Sequence, residues 1–204
     1  SKIYQDFSGE FYSKKISECF ERFFPIVKEL EERLGKVIDL KIESSPIKVN
    51  YQFYESFILS CIHIFRNCAD HGIEETEERI ANGKTPMGYI TIRFKKVMSD
   101  KLQIAIKDDG RGITPKRIKE IAISKDILSA KEANNLPDSK ILQLIFHEDF
   151  STKNEVTEFS GRGVGLSAVL VEVKKLNGNI LVASKEGAGT SFMISLPLKD
   201  NQNF

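Results

Sequence analysis

Between Tyr12 and Leu34 apolar residues return every three or four positions, as Ile16, Phe20, Phe23, Ile26, Val27, Leu30 and Leu34. That period puts them on one face of a helix, so the stretch predicts one amphipathic helix or two, closed by Gly35. "KVIDLKIE" (Lys36–Glu43) then alternates, the two-residue period of a strand. "SSPIKVN" is polar around a proline and reads as a turn. A longer helix is expected from Tyr51 to about His71, stopped by Gly72. "MGYITIRFKKV" and "KLQIAIKDDG" both alternate across "MSD", which predicts a hairpin. Pro115–Ser124 and Asp138–His147 have helical spacing around a polar connection.

"EDFSTKNEVTEFSGRGVG" (Glu148–Gly165) has neither period. So long a polar stretch in a compact domain is expected to be a functional loop. A helix over Leu166–Leu176 follows, and "NILVASKEGAGTSFMISLPL" reads as a second hairpin turning at "KEGAG". Two hairpins set among helices predict an α+β fold, a two-layer α/β sandwich with helices on one face of a mixed, antiparallel-rich sheet. No internal repeat or low-complexity tract interrupts the pattern.

Length and composition then set the scale. A chain of 204 residues, 41% hydrophobic, suits one large domain or one domain with an added helical piece. The expected division is an N-terminal helical segment over 1–35, a main domain over 36–198 and a polar tail over 199–204. The first of these would suit a linker from an upstream domain, and the opening at Ser1 fits a piece of something longer. Thirty basic and 29 acidic residues leave a formal charge of +1, which gives no general attraction to nucleic acid or an anionic membrane. No apolar run approaches the ~20 residues that cross a bilayer, so no direct membrane insertion is expected. Cys19, Cys61 and Cys68 sit in apolar helical patterns without CxxC spacing. They read as buried free thiols of a reducing compartment, hence a cytoplasmic protein. Three histidines and no cysteine pair argue against a structural zinc site.

Four short motifs carry candidate chemistry. In "HIFRNCADHGIE", His63, Asn67, Asp70 and His71 share one helix face, while Phe57, Ile58, Cys61, Ile64, Phe65 and Cys68 fill the rest. An asparagine amide oxygen is a hard, neutral ligand suited to Mg²⁺ beside phosphates. "KDDGRGI" follows a strand, and its glycines let backbone turn tightly and approach a planar ligand, with a carboxylate ready for an exocyclic amine. "SGRGVGL" precedes a helix, whose free N–H groups suit phosphate oxygens. It is not a P-loop, because no GK[ST] follows. "EGAGT" closes the set. Singly these have plainer readings, a solvated helix face and ordinary glycine turns. Their order is the stronger signal.

That ordered set resembles the Bergerat ATP-binding fold shared by gyrase, Hsp90, histidine kinases and MutL. Within that superfamily, "HIFRNCADHGIE", "DDGRGI", "IFHEDFSTKNEVTEFSGRGVGL" and "LNGNI" are similar to the kinase domain of the CheA chemotaxis histidine kinases, from about Phe24 to Leu198. The resemblance implies ATP and Mg²⁺ as ligands and phosphate transfer to a histidine on a separate phosphoacceptor domain, then to a response regulator. It also implies dimerisation only through segments outside this chain. Asn67 stands at the Mg²⁺-coordinating position and His63 at the N-box histidine near the γ-phosphate. Arg66, Asp70 and His71 match nucleotide-site positions. Asp108 matches the adenine-reading aspartate, with Gly110 and Gly112 beside it. Arg117 sits where a lysine is common. Ser151, Thr152 and Lys153 match a lid near the phosphates, and His63, Asn67 and Lys153 are the expected catalytic set. Gly161, Arg162, Gly163, Val164, Gly165 and Leu166 form the triphosphate-wrapping segment, and Thr190 is the last-box threonine. The sequence departs from the family at Ile121, where lysine is common, at Glu148–Asp149 for Pro-Gly, and at Ser167–Ala168 for Asp-Val. A nucleotide-gated module that binds ATP without transferring phosphate is the alternative expectation.

Overall fold

The chain was described from a computed structural model, which covers residues 13–98, 100–150 and 165–199. Strand β1 (Ser13–Lys15) leads into α1 (Ile16–Phe20) and α2 (Phe23–Leu34). Gly35 ends α2 in the left-handed conformation, φ 64°, with its N–H on Glu31 O, as the sequence predicts. Strand β2 (Ile38–Ser44) follows, then β3 (Lys48–Asn50). β1 and β3 pair antiparallel, Ser13 opposite Asn50 and Lys15 opposite Lys48. Residues 13–15 were expected to be helical, and "SSPIKVN" a turn. Strands of three residues are too short to display an alternation, so the ribbon is invisible until the two segments meet.

The expected long helix is present in pieces. α3 (Tyr51–Ser60) is capped by Asn50, whose side chain accepts from Phe53 N. α4 (Ile62–Asn67) continues it beyond Cys61, and a wide π turn, Cys68–Gly72, finishes it. Ile73 N donates to Cys68 O (2.7 Å), five residues back. Helix α5 (Thr76–Ala81) lies in a polar stretch with no apolar period to announce it, and its Ile80 is exposed. The hairpin of β4 (Gly88–Val97) and β5 (Lys101–Asp108) matches expectation. So does α6 (Pro115–Ser124), with Thr114 as N-cap and proline in its first turn. The polar connection after it holds α7 (Ala130–Asn135), started by a Ser129–Glu132 capping box. α8 (Asp138–Gln143) runs into two 3₁₀ turns, Leu144–Phe146 and Glu148–Phe150. The second occupies what was expected to be the start of the loop. α9 (Leu166–Lys175) and the hairpin of β6 (Asn179–Lys185) and β7 (Gly189–Pro197) complete the described chain.

The five-stranded sheet has the order β2-β4-β5-β7-β6, with β2 and β4 parallel and the other three pairings antiparallel. Alternation selects its buried face. Ile90, Ile92 and Phe94 of β4, Leu102, Ile104 and Ile106 of β5, and Phe192, Ile194 and Leu196 of β7 are all buried. Arg93, Lys95 and Lys107, one position away, are exposed. Helices cover the buried face, so the predicted two-layer α+β sandwich is the fold. Phe23 of α2 meets Phe65 of α4 with ring centroids 4.4 Å apart, and Phe20 meets Phe94 edge-on at 5.0 Å. The N-terminal helices are thus packed into the same core as the sheet. This arrangement brings the π turn, the end of β5, the start of α9 and the start of β7 to one end of the molecule.

Candidate functional site

β5 ends at Asp108, only 2% exposed although it carries a carboxylate. Its Oδ1 accepts from the backbone N–H of Gly110 (2.9 Å) and of Thr190 (3.3 Å), and the Cys68 thiol donates to the same carboxylate. Burial pushes this acid above the usual carboxylate range. The three donors oppose the rise and the neighbouring Asp109 charge adds to it. Asp108 lies on the wall of a cavity of about 390 Å³. Ile113, Ile118, Ile145, Phe150, Leu166 and Phe192 supply apolar lining to the same cavity. Apolar walls with a few placed polar groups suit a flat ring system that also carries hydrogen-bond donors.

The glycines around Asp108 serve the protein's own backbone first. A Cβ on Gly110 would collide with the Gly72 carbonyl, and one on Gly189, at φ 93°, would collide with Asp108 O. β5, the π turn and β7 therefore meet backbone to backbone, and Arg111 N donates to Gly72 O (2.9 Å). Gly110 was expected to approach a ligand. Its Cβ side packs against Gly72, and Gly112 lines the cavity.

The polar stripe of the long helix divides. Asn67, Asp70 and His71 line the cavity; His63, one turn before Asn67, and Arg66, next to it, are partly buried and do not. Burial, then the Arg66 charge, holds His63 below the usual imidazole range, so its ring is neutral at pH 7. Asn67 Nδ2 donates to His63 O (3.0 Å) within the helix. That tie commits the amide nitrogen and leaves Oδ1 to accept from a ligand or bind a cation. Among the described residues no three His, Cys, Asp or Glu groups cluster as a metal cage. A single amide oxygen on a cavity wall suits Mg²⁺, which fills its shell with water and phosphate oxygens.

Arg117 reaches the cavity from α6, Gly165 and Leu166 from the start of α9, and Thr190 from β7. Gly165 offers no side-chain cap to α9, and a helix N-terminus at a cavity wall suits an anion. Ser151, Thr152, Lys153, Gly161, Arg162, Gly163 and Val164 lie outside the described residues. Three groups escape the motif reading. Arg111 lines the cavity from between the two glycines of "DGRG" while its Nη2 pairs with Glu78 (2.9 Å). His147 lines it just ahead of the expected loop. Lys36, which reads in sequence as the first residue of a strand, is buried under the π turn. Its Nζ donates to the carbonyls of Ala69 (2.7 Å), Asp70 (3.0 Å) and Ile73 (2.7 Å). Burial lowers its pKa, with the Asp70 charge opposing.

The chain is similar in sequence and in fold to known proteins. Residues 58–200 fit the family model described as histidine kinase-, DNA gyrase B- and HSP90-like ATPase. The chain is 41% identical over 183 residues to chemotaxis protein CheA of Borreliella burgdorferi, a match covering 90% of this chain and 21% of that protein. It is 38% identical over 182 residues to the gliding motility regulatory protein of Myxococcus xanthus, covering 89% of this chain and 23% of that protein. The chain thus spans less than a quarter of either relative. Among solved structures, the mycobacterial sensor histidine kinase MprB superposes with a TM-score of 0.54 at 16% identity, over 92% of this chain and 97% of that one, a likeness of fold. No helix among the described residues is long and apolar enough to cross a membrane. A chain whose greater part follows that family model, with the aspartate of its glycine motif buried beside the cavity, belongs to the histidine kinase-, DNA gyrase B- and HSP90-like ATPase family, as a CheA-like domain.

Proposed function

We propose that this chain is the ATP-binding catalytic domain of a cytoplasmic CheA-like histidine kinase. It transfers the γ-phosphate of Mg-ATP to a histidine on a separate phosphoacceptor domain, and a response regulator then takes the phosphate. The observation that carries the proposal is Asp108. Two backbone N–H groups hold Oδ1, the Cys68 thiol donates to the same carboxylate, and its remaining lone pairs would accept from the exocyclic amine of adenine. The apolar wall of Ile113, Ile118 and Phe192 takes the faces of the base. Asn67 would hold Mg²⁺ through its amide oxygen, and the ion would neutralise charge on the phosphate oxygens. Arg117 and the start of α9 meet the same oxygens. His63, neutral and one turn behind Asn67, positions that asparagine through its carbonyl. Lys153, Ser151 and Thr152 belong to the proposed lid over the phosphates. In the transfer, an imidazole nitrogen of the acceptor attacks phosphorus, the bond to the β-phosphate oxygen breaks, and ADP leaves.

The test is direct. γ-³²P-ATP and Mg²⁺ are incubated with this chain and a separately expressed CheA-type phosphoacceptor domain. Label on the acceptor, stable in alkali and lost in acid, is the expected result. Asn67→Ala should reduce transfer at least tenfold while ADP binding without metal stays near wild type. ATP binding with no label on any histidine would replace this reading with a nucleotide-gated module.

A further inference from the structure

Glu74, Arg79, Lys84 and Asp109 form an ionic network beside the cavity, buried at Glu74 and Arg79 and partly exposed at Lys84 and Asp109, and none of them lines it. Glu74 and Arg79 are 2% and 1% exposed. Arg79 binds Glu74 (3.0 Å) and Asp109 (2.8 Å), and Lys84 Nζ binds Glu74 Oε1 (2.6 Å). Burial raises the Glu74 acid, but the Lys84 hydrogen bond, its own backbone and the two cations outweigh that, and the carboxylate stays ionised. The ammonium of Lys84 is thereby fixed in place. Its remaining donors go to two consecutive carbonyls, Asp109 O (2.9 Å) and Gly110 O (2.7 Å).

A trans peptide is planar, with its C=O and N–H pointing to opposite sides. Every described peptide here is trans. When Lys84 draws the Asp109 carbonyl to one side, the Gly110 N–H of that peptide must face the other. There it donates to Asp108 Oδ1 (2.9 Å). When Lys84 draws the Gly110 carbonyl, the Arg111 N–H turns the other way, onto Gly72 O (2.9 Å). One ammonium thus sets two peptide planes. The first orients the buried carboxylate, and the second seats its loop on the π turn.

We infer that Lys84 is a positioning residue for base selection, acting through the two peptides that follow Asp108. The inference rests on the proposed reading of adenine by Asp108. A lysine that merely stabilised the fold would weaken all nucleotides alike, because it would act on the fraction of folded chain. A lysine that orients Asp108 acts on the base and leaves the phosphate contacts unchanged.

Affinities for ADP and GDP are measured by calorimetry on wild type, Lys84→Met and Lys84→Gln, with thermal unfolding recorded alongside. Wild type should prefer ADP. Lys84→Met should cut that preference about tenfold, mainly through weaker ADP binding, as expected when one hydrogen bond to a charged group is misplaced. Lys84→Gln keeps an N–H donor for one carbonyl and should fall between the two. Equal losses for ADP and GDP would overturn the inference. Should Lys84→Met not fold, the ratio in Lys84→Gln decides, and a wild-type ratio there overturns it. Wild type without preference would instead remove the adenine reading of Asp108, and this inference with it.

Discussion

Burial opposes the charge on Asp108. Its folded pKa lies above the unfolded value of 3.8. A raised acid contributes stability that is complete below the unfolded pKa and lost as pH climbs through the folded one. The ionised form is therefore a burden on the protein by itself, and in the proposed reading the ligand's hydrogen-bond donor would offset it. Asp108→Asn should leave urea stability at pH 7 unchanged or higher. Wild type should gain on the variant as pH falls toward 4. ADP affinity should drop about ten- to a hundredfold, the worth of roughly 1.5–3 kcal/mol for a hydrogen bond to a charged acceptor. A variant that is clearly less stable at pH 7, or that binds ADP as wild type does, would contradict this account. Asp108 was legible in the sequence because an aspartate followed by spaced glycines after a strand is a local pattern. Lys36 and Lys84 were not, since the main-chain carbonyls they hold belong to other segments, which no side-chain pattern encodes.

Among the elements, the π turn Cys68–Gly72 carries the most consequence. It ends the cavity-facing helix with carbonyls that no i+4 donor reaches, and the Lys36 ammonium meets those of Ala69 and Asp70, with Ile73 just beyond. The positive charge also sits at the negative end of the helix dipole. Lys36→Met keeps the apolar stem and removes the donors. It should destabilise the protein by about 1–3 kcal/mol in urea denaturation, the cost of leaving buried acceptors unmet. It should also weaken ADP, because Asp70 and His71 of this turn are part of the cavity wall. Stability within error of wild type would mean that water replaces the ammonium without loss. The stop at Gly72 was readable from the sequence, and the widened turn was not. Three- and four-residue spacing reports a helix's buried face and is silent about one extra residue in its last turn. The short α5 and α7 were hidden for a related reason: they bury so little, Arg79 and Ala133 apart, that no periodic signal exists.

For the molecule as a whole, local pairings were legible and distant ones were not. Both hairpins, β4–β5 and β6–β7, join neighbours in the chain, and their turns announce them. The parallel β2–β4 and antiparallel β5–β7 pairings bring together segments whose hydrophobic patterns say only that each is a strand, and the β1–β3 ribbon joins segments that carry no strand pattern at all. Four motifs in the right order supplied what patterning could not, by linking the chain to a family whose topology is known.

The glycine seams give this topology a temporal consequence. Gly110 against Gly72 and Gly189 against Asp108 are contacts between chain segments that begin far apart, and each requires a long loop to close before anything is gained. The cavity has no precursor in any one hairpin or helix. During refolding from urea, binding competence should therefore arrive with the last ordering event and not with early helix formation. The chain contains no tryptophan, so far-UV circular dichroism can follow the helices while capture of a fluorescent ADP analogue follows the site. The capture signal should lag the dichroism. Capture that keeps pace with the first helical phase would show that the π turn and the end of β5 find each other before the sheet exists.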